Sequence, residues 1–303
     1  MIVRWGLEEL PRVLDDVGID RPLLVASERW DRLAIPAAAR WSEIPSDRIA
    51  VPPDVDGILG FGGGSAIDTA KAASAASDLP LVSVPTTYSG AEWTGFFGIR
   101  TSDRRQVGGG AGARPAGIVY DPELTLDLPK EASGGTALNA LAHCVEALYP
   151  GELEVARRGA SAIDEWFPRV LEDGRDLEAR TRLLEGACDA GRALAERGLY
   201  LGHAMAQAVG GRYGIPHGAA NAVCLPPAMR FNAPVVPWAM TAVPVERVEE
   251  LARLAGFARL RDLGVPEDEL DDLAEVAAQR PGARANPRPA SAAEIAGLYR
   301  SVW

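Results

Sequence analysis

A change of pattern near residue 129 constrains the fold more than any other feature of the sequence. Before it, short apolar runs alternate with stretches whose apolar residues recur at helical spacing. Alternating strands and helices are typical of a parallel sheet with helices on both faces. After it, only helical patterns follow. The sequence therefore predicts an α/β domain with a parallel, Rossmann-like sheet over residues 1–128 and an all-helical domain over residues 129–303.

The predicted elements of the first domain are four strands, two helices and an edge hairpin. The strands are predicted at 22–27, 48–51, 55–61 and 79–85, the helices at 29–41 and 65–76, and the hairpin by pairing 95–100 with 117–120 around the glycines at 108–112. In the second domain, helices are predicted at 133–149, 152–171, 177–195, 202–209, 245–255 and 266–279. Residues 279–293 are poor in large apolar side chains, and we expect a connection there before a short final helix.

Charge and composition exclude several classes of protein. The 31 basic residues against 42 acidic ones give a formal net charge of −11, which disfavours nucleic-acid and anionic-membrane partners because like charges repel. No apolar run reaches the roughly 18 residues that a membrane span needs, and acidic residues interrupt the N-terminal segment where a signal peptide would be apolar. Three cysteines without a CxxC pair indicate a reducing, cytoplasmic environment.

Three consecutive glycines, Gly62, Gly63 and Gly64, stand with Ser65 between a predicted strand and the helix that follows it. Glycine lets the backbone approach a ligand without a Cβ, and a helix start offers free N–H groups and a positive dipole end to a phosphate. The usual dinucleotide fingerprint GxGxxG is absent. From the residues alone, a phosphate site and an ordinary turn in which Ser65 caps the helix both stay open, although the nearby Lys71 favours the first.

Two hydroxyl residues, Thr86 and Thr87, follow the next predicted strand. Ligands of open α/β sheets bind outside the carboxyl ends of the strands, so these hydroxyls are placed to bond a pyrophosphate or a ribose. From the residues alone, an ordinary turn in which the threonines satisfy local backbone groups is the favoured explanation.

All three histidines of the chain, His143, His203 and His217, fall in the helical half. Asn139 precedes His143 by four residues, so both leave one face of a helix, and Gln207 stands one turn after His203. We expect His217 in a loop after that second helix. Three imidazoles and an oxygen ligand would suit Fe²⁺ or Zn²⁺, although a neutral amide is a poorer ligand than a carboxylate. A metal site and structural histidines are equal alternatives at this point.

Five sequence blocks, in order, resemble the iron-containing (group III) alcohol dehydrogenase superfamily and, within it, the maleylacetate reductases. The blocks are GGGSAIDTAK at 62–71, PTTYSGAEWT at 85–94, YDPELTLDLP at 120–129, TALNALAHCVEALY at 136–149 and HAMAQAVGGRYGIPHGAANAVCLP at 203–226. Two segments, PTTYSGAE and LNALAHCVEALY, are most similar to the maleylacetate reductase branch. PHGAANAV is more similar to the metal-dependent alcohol dehydrogenases.

The resemblance implies a dehydroquinate synthase-like fold, with a nucleotide-binding domain, a helical domain and a cleft between them. It assigns binding of NAD(H) or NADP(H) to Ser27, Gly62, Gly63, Gly64, Ser65, Asp68, Thr86, Thr87 and Thr94. It assigns a metal, Fe²⁺ or Zn²⁺, to Asn139, His143, His203 and His217, and catalysis to the three histidines. A dianionic substrate also needs a cation, and we expect Arg212, which is close to these residues in the sequence, to bind its carboxylates. Only 35 positions separate Ser27 from Gly62, too few for the additional helix that relatives usually have there.

Two departures from the metal-dependent pattern indicate which activity to expect. Those members usually have aspartate at position 139 and often a proton-relaying histidine at position 207, where this chain has Asn139 and Gln207. The resemblance thus implies NAD(P)H-dependent reduction of maleylacetate to 3-oxoadipate, a step of aromatic catabolism, by a cytoplasmic homodimer with a small-molecule substrate. A metal-dependent alcohol dehydrogenase and a degenerate, non-catalytic nucleotide-binding protein remain alternatives.

Overall fold

The computed structural model describes residues 1–46, 48–100 and 106–303. The chain divides into two compact units, Met1–Leu126 and Asp127–Trp303. In the described residues the first unit is an α/β structure and the second contains helices and no strand. This is the fold class expected from the sequence, and it is confirmed.

The first unit is built on a parallel sheet. Its strands are β1 (Ile2–Trp5), β2 (Pro22–Ala26), β3 (Ala39–Trp41), β4 (Gly57–Gly62), β5 (Pro80–Pro85) and β8 (Arg114–Tyr120), and its helices are α1 (Leu10–Val17) and α2 (Gly64–Ser77). Among the described residues the sheet has six strands in the order β1-β8-β5-β4-β2-β3, every neighbouring pair being parallel. A separate antiparallel hairpin joins β6 (Phe97–Arg100) to β7 (Gln106–Gly110).

Both faces of the sheet are buried, which explains why its central strands are almost uninterrupted apolar runs. On one face, Leu59 and Phe61 pack with α1 in one apolar cluster. On the other, Ile58 and Leu81 pack with Ala70 of α2. Because side chains alternate between the faces, a one-residue slip of β4 would expose both sets. This fixes where the strand ends, and so where the glycine turn begins.

Three predicted elements of this unit were wrong, and others, among them α1, were not predicted. Range 29–41 is not a helix: one 3₁₀ turn at Glu28–Trp30 leads, past Pro36, to the edge strand β3. Residues 48–51 pair with no strand in the described chain, because the two prolines that follow favour extended but unpaired backbone. Range 95–100 pairs with β7 rather than with 117–120, which lies in the central sheet beside β1 and β5. β1 itself was not predicted.

The second unit consists of α3 (Lys130–Ala147), α4 (Glu154–Glu172), α5 (Leu177–Arg197), α6 (Leu201–Tyr213), α7 (His217–Asn232), α8 (Val245–Leu254), α9 (Leu270–Ala278), α10 (Pro281–Arg284) and α11 (Ala292–Ser301). The six predicted helices are present. In the described chain, no helix is both long and apolar enough to cross a bilayer. The cysteines Cys144, Cys188 and Cys224 are buried, and none of them forms a disulfide within the described residues.

Helix α7 was missed, and His217 is its first residue rather than part of a loop. The helix contains Pro226 and Pro227, which ordinarily end or kink a helix. Tertiary packing overrides that preference, since α7 is almost wholly buried and packs against α3 and α6. The contact with α3 is close: a Cβ at Gly218 would overlap the backbone of Gly135. Small residues at both positions therefore bring the two helices together next to His217.

Candidate active site

Helices α3, α6 and α7 bring the three histidines of the chain into one cluster. The rings of His143 and His203 are stacked, with centroids 4.8 Å apart and an interplanar angle of 14°. The His203 and His217 centroids are 5.6 Å apart. His203 is completely buried and His143 nearly so. We call these residues, with Asn139 one turn before His143, the histidine cluster.

Glu146 orients His203 within this cluster. The carboxylate is completely buried and accepts three hydrogen bonds, from the backbone N–H groups of Tyr200 (2.8 Å) and His203 (3.2 Å) and from His203 Nδ1 (2.7 Å). Nδ1 therefore carries a proton, and Nε2 is the nitrogen left to meet a ligand. The sequence analysis missed Glu146, although an acid three residues after His143 in an otherwise apolar stretch was the available signal.

Asn221 connects the other two ligand candidates. Its Nδ2 donates to Asn139 Oδ1 at 2.7 Å and to His217 Nε2 at 3.0 Å. Because it lies four residues after His217 on α7, both side chains leave the same face of that helix. The sequence analysis also missed this residue, since the missing helix prediction hid the spacing.

Two ring nitrogens of the cluster have unmet hydrogen-bonding capacity. In the part of the chain that the structure describes, His143 Nδ1 and His203 Nε2 are buried and contact no hydrogen-bonding partner. Burial, together with the nearby His203 and His217, lowers the pKa of His143 well below its usual value, so its ring is neutral at pH 7. Asn139 Nδ2 faces His143 Nε2 at 3.5 Å, which places the ring proton on Nδ1. The cluster thus presents two buried ring nitrogens, and unpartnered buried polar atoms of this kind indicate a place where a ligand or a water can bind.

The triple-glycine turn lies at the carboxyl edge of the parallel sheet. Gly62 ends β4 with φ of 142°, a conformation that favours glycine. Gly63 is the N-cap of α2, and among described residues no side chain bonds to that helix start. A Cβ at Gly63 would lie 2.9 Å from Thr87 Cγ2, and the buried Thr87 Oγ1 contacts no described partner. Free helix N–H groups and an unused hydroxyl beside a side-chain-free turn fit a phosphate.

Only some of the other predicted cofactor residues lie at the same edge of the sheet as the glycine turn. Ser27 and Thr86 directly follow β2 and β5, so they share the sheet edge with the glycine turn. Ser65 is exposed and does not cap α2. The remaining residues, Asp68 and Thr94, do not face this turn.

Lys71 holds Asp68 and Thr94 instead. Its Nζ donates to Asp68 Oδ1 (3.2 Å), Thr94 Oγ1 (3.1 Å) and the Phe96 carbonyl (2.9 Å), while Asp68 Oδ2 accepts from Gly98 N at 3.3 Å. All three ammonium protons are used and the side chain is 1% exposed. The lysine therefore fastens the β6–β7 hairpin to α2 and does not reach a phosphate.

Comparison with known proteins identifies the family. Residues 134–303 match the profile of the "Fe-containing alcohol dehydrogenase family, C-terminal", and residues 48–122 match that of "Iron-containing alcohol dehydrogenase". The chain belongs to the iron-containing alcohol dehydrogenase family. Maleylacetate reductase of Pseudomonas knackmussii is 32% identical, covering 98% of this chain and 93% of that protein. The one from Sphingobium indicum is 36% identical over 78% and 70%.

Solved structures agree with this assignment. The crystal structure of maleylacetate reductase from Agrobacterium tumefaciens superposes with a TM-score of 0.85 at 27% identity, over 100% of this chain and 95% of that one. A 1,3-propanediol oxidoreductase superposes with a TM-score of 0.87 at 23% identity, over 100% and 98%, and shares the fold. The family is one of oxidoreductases that use NAD(P).

The family name implies a metal, but the side chains as placed do not fit one. Asn221 points a single N–H₂ group at both Asn139 Oδ1 and His217 Nε2, so a donor stands where a cation would have to be. His143 Nε2 likewise faces the amide nitrogen of Asn139. Within the described residues, no group of three or more His, Cys, Asp or Glu side chains is arranged to hold a metal ion.

Arg212, the predicted partner of substrate carboxylates, is not brought to the histidines. It lies nine residues after His203 on α6, which at 100° per residue places it on the opposite face. Its guanidinium pairs with Glu269 at 2.5 Å and lies 3.7 Å from Asp272. Gln207, four residues after His203, is on the same face as that histidine.

Proposed function

We propose that this protein is an NAD(P)H-dependent maleylacetate reductase that converts maleylacetate to 3-oxoadipate. The observation that carries the proposal is the amide pair Asn139–Asn221 inside a buried cluster of three histidines. Amide N–H groups that point at the histidines favour binding of an anionic, oxygen-rich substrate over binding of a cation. Relatives named maleylacetate reductase at 31–36% identity support the same substrate.

The glycine turn, with Thr86 and Thr87, would hold the cofactor's pyrophosphate. When bound, NAD(P)H supplies the hydride. Helix N–H groups favour the negative charge of a pyrophosphate, and any side chain at Gly63 would meet Thr87. The Lys71 ammonium group already donates three hydrogen bonds within its own unit. Backbone N–H groups and hydroxyls would therefore bind the pyrophosphate.

The histidine cluster would bind the reacting part of the substrate. His143 Nδ1–H is a buried donor for the keto oxygen, where negative charge develops as the carbon–carbon double bond is reduced. His203 Nε2 is a second buried nitrogen, and the Glu146 carboxylate orients it by its hydrogen bond with Nδ1. Both groups are held by packed helices, so they need little reorganisation during the reaction.

The decisive assay follows the loss of reduced-nicotinamide absorbance with maleylacetate and with a panel of aldehydes, each with and without chelator or added Fe²⁺ or Zn²⁺. We expect rapid turnover of maleylacetate that a chelator does not reduce. Aldehyde turnover that requires a metal would instead show an alcohol dehydrogenase. The absence of all turnover, together with no thermal stabilisation by NAD(P)H, would show a non-catalytic protein.

A further inference from the structure

Arg280 is a partly buried cation that pairs with no carboxylate among the residues that the structure describes. It stands immediately before α10, and its Nη2 donates to the backbone carbonyl of Gln207 at 3.3 Å. Its Nε is buried and meets no acceptor in the described parts of the chain, where the side chain also forms no ion pair. Other arginines of this unit do have carboxylate partners, for example Arg158 with Asp189 and Arg247 with Asp164.

Arg280 lies against α6, the helix that carries His203. The carbonyl that it contacts belongs to Gln207, which shares a face of α6 with His203. Two residues later, Gly282 lies against the start of the same helix, since a Cβ there would be 2.7 Å from the carbonyl oxygen of Tyr200. The segment 280–282 therefore runs along the first two turns of α6, which carry His203.

A guanidinium in this environment favours an anionic ligand. Burial lowers the pKa of Arg280, yet arginine keeps its proton at any working pH. A charge withdrawn from water without a partner is costly, so an anion that pairs with it gains binding energy. The planar fork of guanidinium N–H groups matches the two oxygens of a carboxylate, and Nη2 is the nitrogen engaged by Gln207.

We propose that Arg280 is the carboxylate-binding residue of the active site and selects dicarboxylate keto-acids over neutral carbonyl compounds. One carboxylate of the substrate pairs with this guanidinium, while the keto group meets the histidine cluster. Arg280 takes the role that the sequence analysis gave to Arg212. The identity of the substrate rests on the proposed function, whereas the binding of a carboxylate at Arg280 does not.

The kinetic test compares Arg280→Met with Arg280→Lys and with Arg284→Met, a matched control at the exposed end of the same short helix. We expect Arg280→Met to lower kcat/KM for maleylacetate by about 100-fold, mainly through KM, as the loss of one partner of a desolvated ion pair does. Turnover of a neutral aldehyde, where measurable, should not fall. Arg280→Lys should recover part of the loss because a point charge replaces the fork, and Arg284→Met should match the wild type.

A binding measurement separates this proposal from the assignment of the reaction. Adipate, a saturated dicarboxylate, is titrated calorimetrically into the wild type and the three variants. We expect binding to the wild type and to Arg284→Met, weaker binding to Arg280→Lys and none to Arg280→Met. Adipate binding lost in Arg280→Met would support the subsite even if maleylacetate proved not to be a substrate. Equal adipate binding by Arg280→Met and wild type, or no binding to the wild type, would overturn it.

Discussion

The glycine turn of the first unit and the histidine cluster of the second are built in opposite ways. The turn is local: consecutive residues at the end of β4 shape it, and its chemistry belongs mainly to the backbone. The cluster is non-local: its side chains come from α3, α6 and α7, and a buried carboxylate holds one ring in place. The glycine turn can bind a phosphate because it has no side chains, whereas the histidine cluster requires each of its partner side chains.

The largest effect should follow from removing an imidazole ring of the histidine cluster. His203→Ala deletes the buried Nε2 and leaves Glu146 buried without its imidazole partner. We expect turnover of maleylacetate to fall by about 10³-fold or more. Thermal stabilisation by NAD(P)H should persist, since the glycine turn belongs to the other unit. Normal turnover in this variant would contradict the assignment of the cluster.

A smaller loss should result from changing the residue that orients that ring. Glu146→Gln replaces a group that accepts three N–H bonds with one that must also donate. We expect kcat to fall by about 10- to 100-fold, and His203 to change from the Nδ1–H to the Nε2–H tautomer. Nitrogen NMR of the imidazoles can show this directly, because the chain has only three histidines.

The exposed Glu165 provides the control for this experiment. Glu165→Gln, on the surface of α4, should leave both kcat and the imidazole spectrum unchanged. An unchanged His203 tautomer in a folded Glu146→Gln protein would show that the carboxylate does not set the state of the ring.

A side chain added to the glycine turn should raise KM for NAD(P)H. Gly63→Val places carbon atoms against Thr87, and overpacking of this kind costs about 1–3 kcal/mol. We expect KM for NAD(P)H to rise by about 10-fold or more, with a smaller change in kcat at saturating cofactor. Gly297→Val is the control, because a side chain there would meet nothing within 4 Å. Equal KM values in both variants would argue against a phosphate at the turn.

The smallest expected effect concerns Glu92, a buried acid of the first unit. Burial raises the pKa of Glu92, although its hydrogen bond from Tyr120 (2.6 Å) opposes the change. A carboxyl group whose pKa is higher in the folded protein destabilises the fold as the pH rises above the unfolded value of about 4.5. Glu92→Gln should therefore gain unfolding free energy relative to wild type as the pH is raised from 4.5, measured by denaturant titration. A pH-independent difference would contradict this.

The same contrast explains how much the sequence could reveal. Strands β2, β4 and β5 were predicted because burial on both faces makes them apolar runs, and the glycine turn was recognisable because it is contiguous. The helix predicted at residues 29–41 was wrong, because the end of this range forms the edge strand β3, which pairs with β2. Pro226 and Pro227 concealed α7, since tertiary packing stabilises a helix that propensity alone would end.

The contacts that the partner residues make within the histidine cluster could not be predicted from the sequence. Glu146 and Asn221 act through atoms that meet only after three helices pack. Arg280 lies in a segment predicted to be a mere connection, and only its contact with Gln207 reveals its position. Arg212 was predicted because it is near His203 in the chain. It lies two and a half turns further along α6, on the opposite face of the helix, where it pairs with Glu269.

The most direct test of the central claim is the product formed. Chelator-treated protein is incubated with maleylacetate and NAD(P)H, and mass spectrometry quantifies 3-oxoadipate against the cofactor consumed. The account predicts one 3-oxoadipate per cofactor oxidised, with no requirement for added metal. Cofactor consumption without 3-oxoadipate, or formation of 3-oxoadipate only after Fe²⁺ or Zn²⁺ is restored, would contradict it.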